Sequence, residues 1–241
     1  MTLSMLTLAL IVLFAYTTQA LSGFGSTIIT VTLAALWLPI PWIMPIVVAL
    51  NVPFSGWLVW QERRVIDWPL LRREVLPLMI VGTVAGALLA PLLAHTMLRP
   101  AYGVLIVALS LFDLWRLQRR HHARFAAPVR TVMVLGSGFT QGMYASGGPL
   151  LAAAMGGSGL SKSALRATLL TVWLLLNTGL TLWFVATRRF DADMVVGAAW
   201  LFPLTVLGLW MGNHLHHRVN ERQHRFVVDI VLLFAGLALL R

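Results

Sequence analysis

Two short stretches carry the residue types best suited to binding chemistry. They read Gln19-Ala20-Leu21-Ser22-Gly23-Phe24-Gly25-Ser26-Thr27 and Gln141-Gly142-Met143-Tyr144-Ala145-Ser146-Gly147-Gly148-Pro149. Each lies in an otherwise apolar run, where clustered glycine and serine break a helix and free its backbone N–H groups. The helix that resumes after the break presents its N-terminus. Free N–H groups and the positive dipole end together attract an anion without any cationic side chain. Ser22, Gly23, Gly25, Ser26 and Thr27 in the first stretch are therefore candidate substrate contacts, as are Ser146, Gly147 and Gly148 in the second. The plainer alternative is that these glycines only let helices approach closely. Matched placement of the two stretches, each opened by a Gln, favours a site.

Four amides complete the candidate set. Asn51 and Asn177 sit well inside apolar segments, and Gln19 and Gln141 open the two breaks. Such residues serve either as interhelical hydrogen-bond glue or as donors to a bound oxygen. Gly82-Thr-Val-Ala-Gly86 and Gly208-Leu-Trp-Met-Gly212 are both GxxxG and are expected to pack helices. The acidic residues fall in loops or near segment ends, with Asp113 close to Arg116 and Asp229 spaced to pair with Arg225 at i, i+4. That leaves the membrane interior without an evident carboxylate, which weakens a carboxylate-coupled mechanism and fits an anion held by amides, hydroxyls and dipoles. Cysteine is absent, so no thiolate metal site or Cys nucleophile is available. The histidines lie in basic loops, and no HExxH, nucleophile elbow, Walker loop or buried carboxylate pair is present. No catalytic residue, metal or cofactor is expected.

The elements that position these residues are membrane helices. Hydrophobic residues make up 59% of the 241 and charged residues 11%, well below the roughly 25% of a soluble domain. Apolar segments read as Leu3–Leu21, Thr27–Trp37, Trp42–Trp60, Val75–Ala94, Ala101–Trp115, Thr131–Ala145, Pro149–Gly157, Leu165–Thr187, Met194–Asn213 and Phe226–Leu240. Several approach the ~20 residues that a helix needs to cross a bilayer. Trp37, Trp42, Trp60, Trp68 and Trp115 fall near segment ends, as interfacial belts require. The net charge of +10 is carried in short loops between apolar runs, where Arg reports membrane orientation rather than nucleic-acid binding. Met1 to Ala20 has no basic n-region and reads as retained structure rather than a signal peptide.

The chain repeats. A shift of 126 places Asn51 on Asn177, Trp57 on Trp183, Pro77 on Pro203, Gly82 on Gly208 and Gly86 on Gly212. Nearer the front a shift of 122 places Gln19 on Gln141 and Gly25 on Gly147, which fits a four-residue insertion around Gly156–Gly159. One membrane domain, 1–241, then holds repeats 1–117 and 131–241, joined by the basic loop 116–130, read as cytoplasmic. Duplicated transporters place substrate at the repeat interface. Four full spans per half would make the repeats parallel. A re-entrant first hairpin would make them inverted, and inversion puts more of the Arg residues on the side of loop 116–130.

Gly23-Phe-Gly-Ser-Thr with the apolar run to Pro39, and Gly138 to Gly142 followed by Ser146-Gly-Gly-Pro149, resemble the paired glycine-rich motifs of the sulfite exporter (TauE/SafE) family. Ser26-Thr27 and Ala145-Ser146 depart from the glycine runs of many members, which bears on the particular substrate. The resemblance implies a transporter of sulfite, sulfoacetate or another sulfonate or carboxylate. The expected fold is all-α. It is a multi-pass protein of two homologous halves with about eight hydrophobic segments, inverted repeats and broken or re-entrant first helices. Expected partners are a small anionic substrate and the bilayer of a bacterial cytoplasmic (inner) membrane, with no nucleic acid; both monomer and homodimer stay open. The competing readings are a channel or scaffold and a lipid-modifying membrane enzyme, the latter lacking a convincing catalytic set.

Overall fold

A computed structural model describes residues 3–22, 24–92, 95–118, 125–215 and 221–241. Gly23, one of the candidate contacts, lies outside the described residues, as do 119–124 of the basic loop and 216–220. All regular structure among the described residues is helical. In chain order the helices are α1 (Leu3–Ser22), α2 (Ser26–Ala34), α3 (Ile40–Glu62), α4 (Trp68–Leu92), α5 (His95–Gln118), α6 (Ala127–Tyr144), α7 (Gly148–Met155), α8 (Lys162–Ala186), α9 (Ala192–Leu215) and α10 (Glu221–Ala238). Five of them, α3, α4, α5, α8 and α9, are long and apolar enough to cross a membrane, and Leu6–Ser22 is a shorter apolar stretch. Large apolar side chains such as Val132, Trp200 and Phe234 stand exposed on the outside, as a lipid-facing surface requires. The chain is an all-α multi-pass membrane protein.

Each apolar segment of the sequence overlaps a helix, although Thr27–Trp37 and Pro149–Gly157 run past the ends of α2 and α7, and several helices begin a turn or more earlier. α4 begins at Trp68, where Asp67 accepts the Leu70 N–H at 2.9 Å and Pro69 occupies the first turn. α6 begins at Ala127 with a proline in its first turn. A first-turn proline at both starts, with a capping carboxylate at the first, marks these ends rather than hydrophobicity.

Packing is paired across the two halves. α4 lies along α6 and α9 lies along α1, each pair parallel. In the first pair Gly82 and Gly86 face Gly138 and Gly142. A Cβ added at Gly86 would stand 2.2 Å from the Phe139 carbonyl oxygen, and one at Gly142 would stand 2.0 Å from that of Thr83. Only glycine lets backbones come this close. In the second pair Gly208 and Gly212 meet the α1 backbone at Leu13 and Thr17. α3 packs antiparallel on α8: Asn51 meets Asn177, and Glu62 pairs with Arg166 at 2.9 Å. α5 packs antiparallel on α10, with Gly103 against Gly236 at one end and Asp113 against Arg225 at the other.

The short helices belong to hairpins. α1 ends at Ser22, and α2 starts after Gly25, whose φ of 116° lies in the region that favours glycine. α2 returns toward the face where Arg99, at the start of α5, donates to the Leu36 carbonyl at 3.1 Å. α6 starts beside Glu74, which takes an ion pair from Arg130, and breaks at Ala145, φ 53°. α7 then returns toward that same face, its C-terminal Gly156 beside Arg116. The hairpins therefore enter from opposite faces and their tips meet, with Phe24 packed on Gly148. Opposed hairpins and an antiparallel α3–α8 pair are the geometry of inverted halves.

Candidate functional site

The hairpin tips and the middles of α3 and α8 line a small polar pocket. Its lining includes Gln19, Gly25, Thr27, Asn51, Gln141, Gly148 and Asn177. Seven of the twelve sequence candidates thus come together, one set from each half.

The amides are not independent contacts; they form one chain. The Gly147 N–H donates to Gln141 Oε1 at 3.2 Å, and Gln141 Nε2 donates to Asn177 Oδ1 at 2.8 Å. Asn177 Nδ2 donates to Asn51 Oδ1 at 2.8 Å, and Asn51 Nδ2 donates to Gln19 Oε1 at 2.9 Å. Every bond points the same way. The backbone N–H of Gly147 can only donate, so it fixes Gln141 and, through Gln141, each amide after it. Ser26 donates its hydroxyl to the same Gln19 oxygen and receives a second bond from Asn51 at 2.9 Å, while Ser55 donates to Asn51 Oδ1 at 2.7 Å.

The chain ends in an unspent donor. Gln19 is 1% exposed, and its Nε2 has no partner among the described residues. Trp173, 4% exposed, also lines the cavity, and its indole Nε1 is likewise unpartnered. A buried donor without an acceptor costs about 1–3 kcal/mol, so two in one cavity mark a place for an acceptor. The first turn of α2 adds to them, since the intrahelical ladder begins only with Ile29 bonding the Gly25 carbonyl. Both buried lining atoms without a partner among the described residues are donors, which suits an anion.

The remaining candidates lie around this cavity. Ser26 is buried and spends its hydroxyl on Gln19. Gly147 holds the second break, its carbonyl accepting from Ser137 Oγ at 2.7 Å. A Cβ there would meet the Ser137 carbonyl oxygen at 2.4 Å. Ser146 faces away from the cavity and bonds the Tyr102 hydroxyl at 2.8 Å and the Tyr144 carbonyl at 2.9 Å. Ser22 donates to the carbonyls of Thr18 and Phe24 and lines a second, neighbouring cavity. Phe24, Ile28 and Trp173 are lining residues that the sequence reading missed. Trp173 had one usable signal: it lies four residues before Asn177 and so shares its helix face. Repeat matching passed over it because its counterpart at a shift of 126 is Val47.

One expectation is corrected. Asp113 and Asp229 read as segment-end residues, but they are 3% and 7% exposed, inside α5 and α10. Arg225 does not take Asp229 as its i, i+4 ion-pair partner; it reaches across to Asp113 Oδ2 at 3.4 Å. Antiparallel packing of α5 on α10 decides this, because it brings Asp113 nearer the guanidinium than the helix spacing brings Asp229.

No curated protein and no solved structure matches the chain. The profile of one family, "Sulfite exporter TauE/SafE", matches residues 8–239, nearly the whole length. With that coverage, the chain belongs to the sulfite exporter TauE/SafE family of membrane transporters.

Proposed function

We propose that this protein is a secondary transporter of a small sulfur-containing or organic anion, such as sulfite, sulfoacetate or a related sulfonate or carboxylate. It works by alternating access in the cytoplasmic (inner) membrane of a bacterium. The observation that carries this reading is the central cavity, in which the buried side-chain atoms left without a partner among the described residues, Gln19 Nε2 and Trp173 Nε1, are both donors. Family membership supports it independently.

In this reading the anion accepts from Gln19, Trp173 and the first-turn N–H groups of α2, with Thr27, Gly25 and Gly148 shaping the wall. Asn51, Asn177 and Gln141 hold Gln19 with its amino group toward the substrate. Ser26 and Gly147 orient those amides, and Ser22 and Ser146 brace the two breaks. Hairpins entering from opposite faces support a carrier built from inverted repeats, in which rocking one half against the other exposes the same site to each side in turn.

The test is counterflow of radiolabelled sulfite and sulfoacetate in proteoliposomes. Saturable exchange that weakens in Gln19→Leu is the expected result. Linear, non-saturating flux would establish a channel instead, and no exchange of either anion by folded protein would overturn the assignment. Side-chain variants are the right probes: a side chain at Gly147 would strike backbone and confound binding with folding.

A further inference from the structure

A second cavity lies on the other side of Phe24. It is lined by Thr18, Ser22, Asp113, His224, Arg225 and Asp229, and shares Phe24, Gly25 and Ile28 with the central one. Its character is different. It contains two buried carboxylates, and three of its polar atoms have no partner among the described residues: Thr18 Oγ1, His224 Nε2 and Asp229 Oδ2. Among the described residues, the charges facing it come from two helices. α10 supplies His224, Arg225 and Asp229; α5 supplies Asp113, ion-paired with Arg116 at 3.6 Å; α1 contributes hydroxyls, α2 Ile28 and α7 Pro149. Asp113 is thus held by two guanidinium groups, whereas Asp229 keeps a buried, unanswered oxygen.

We infer that this cavity is a proton-binding site, with Asp229 as the carboxylate that takes up and releases the proton that accompanies the transported anion. A metal ion is the wrong occupant, because two guanidinium groups would repel it. No cluster of three metal-ligating side chains occurs among the described residues. A proton needs only one oxygen and cancels the one buried charge that Arg225 leaves unanswered. The step is an O–H exchange: the carboxylate accepts a proton from water on one face and returns it to water on the other, with no other bond made or broken.

The link to the anion site runs through Arg225 and Phe24. The Arg225 guanidinium sits over the Phe24 ring at 5.5 Å while pairing with Asp113, and Phe24 forms part of the wall of both cavities. Ionised Asp229 competes with Asp113 for Arg225 and draws it off the ring; protonated Asp229 leaves it in place. A neutral Asp229 also removes a negative charge next to the place where an anion binds. Protonation and anion loading therefore favour each other, and the two move in the same direction.

This inference rests on the transport reading but can be tested apart from it. Infrared spectra of the reconstituted protein, titrated from mildly acidic to mildly alkaline pH, should show a carboxylic-acid carbonyl band that disappears on deprotonation and is missing in Asp229→Asn. No such band in the wild type, or the same band in Asp229→Asn, would overturn the proton site, whatever the substrate. An inward pH gradient should drive sulfoacetate or sulfite accumulation in the wild type. Asp229→Asn should lose that response by at least about 10-fold while exchange at equal pH continues, since Asn mimics the protonated side chain. Asp229→Glu should restore both readouts, which excludes a folding defect. An Asp229→Asn protein that still follows the gradient would overturn the coupling. Absence of exchange in the wild type would instead remove the transport reading, and the infrared band would still decide the proton site.

Discussion

Asn177 donates its side-chain amide to the Asn51 carbonyl oxygen at 2.8 Å, joining two residues 126 positions apart in the middles of α8 and α3. The same two residues align in the sequence repeat, so a pseudo-two-fold relation brings like to like. Each amide carries both a donor and an acceptor, but a single bond joins this pair, with Asn177 donating and Asn51 accepting. Its direction follows from the Gly147 N–H at the head of the amide chain and places the free donor in the N-terminal half.

The anion anchor is tested most directly at Gln19. Gln19→Leu removes a hydrogen bond to a charged ligand, worth about 1.5–3 kcal/mol, and should raise KM for the transported anion about 10- to 100-fold. Gln19→Glu should be worse, because it replaces the donor with a negative charge. Concentration dependence of counterflow measures both.

Trp173→Phe keeps an aromatic ring and deletes only the unpartnered N–H. Affinity should fall about 5-fold, equivalent to about 1 kcal/mol, and the melting temperature in detergent should hold or rise, since a buried unpaired donor is removed. A melting temperature well below wild type would mean that the indole N–H has a structural partner.

Ser146 and Tyr102 should separate from the binding residues. Tyr102 is fully buried and bonds both Ser146 at 2.8 Å and Thr32 at 3.0 Å, away from the cavity. Tyr102→Phe should cost about 1 kcal/mol of stability and leave KM unchanged. A large change in KM would place Ser146 back among the substrate contacts.

The parallel α4–α6 contact makes a packing prediction. Gly142→Ala puts a methyl group against the Thr83 carbonyl, and the backbones must separate to admit it. Destabilisation of about 1–3 kcal/mol is expected, read as an earlier thermal transition. Gly25→Ala is different, because its nearest neighbours are 3.7 Å away and only its positive φ resists a side chain. It should distort the break rather than clash.

What the sequence determined by itself follows from periodicities and repeats that hold wherever the helices go. The apolar runs require membrane helices, since lipid offers the backbone no partner. The glycine clusters require breaks, and the aligned Gln, Asn and Gly residues mark one neighbourhood. Tertiary structure decided the rest because it depends on which faces meet. The order of the amides along the chain, the indole of Trp173, the removal of Ser146 to Tyr102 and the opposed entry of the hairpins all depend on helix pairing. So does the burial of Asp113 and Asp229, which come together only because α10 runs antiparallel along α5. Spacing along one helix fixes which residues share a face; it carries no information about which distant helix that face will meet.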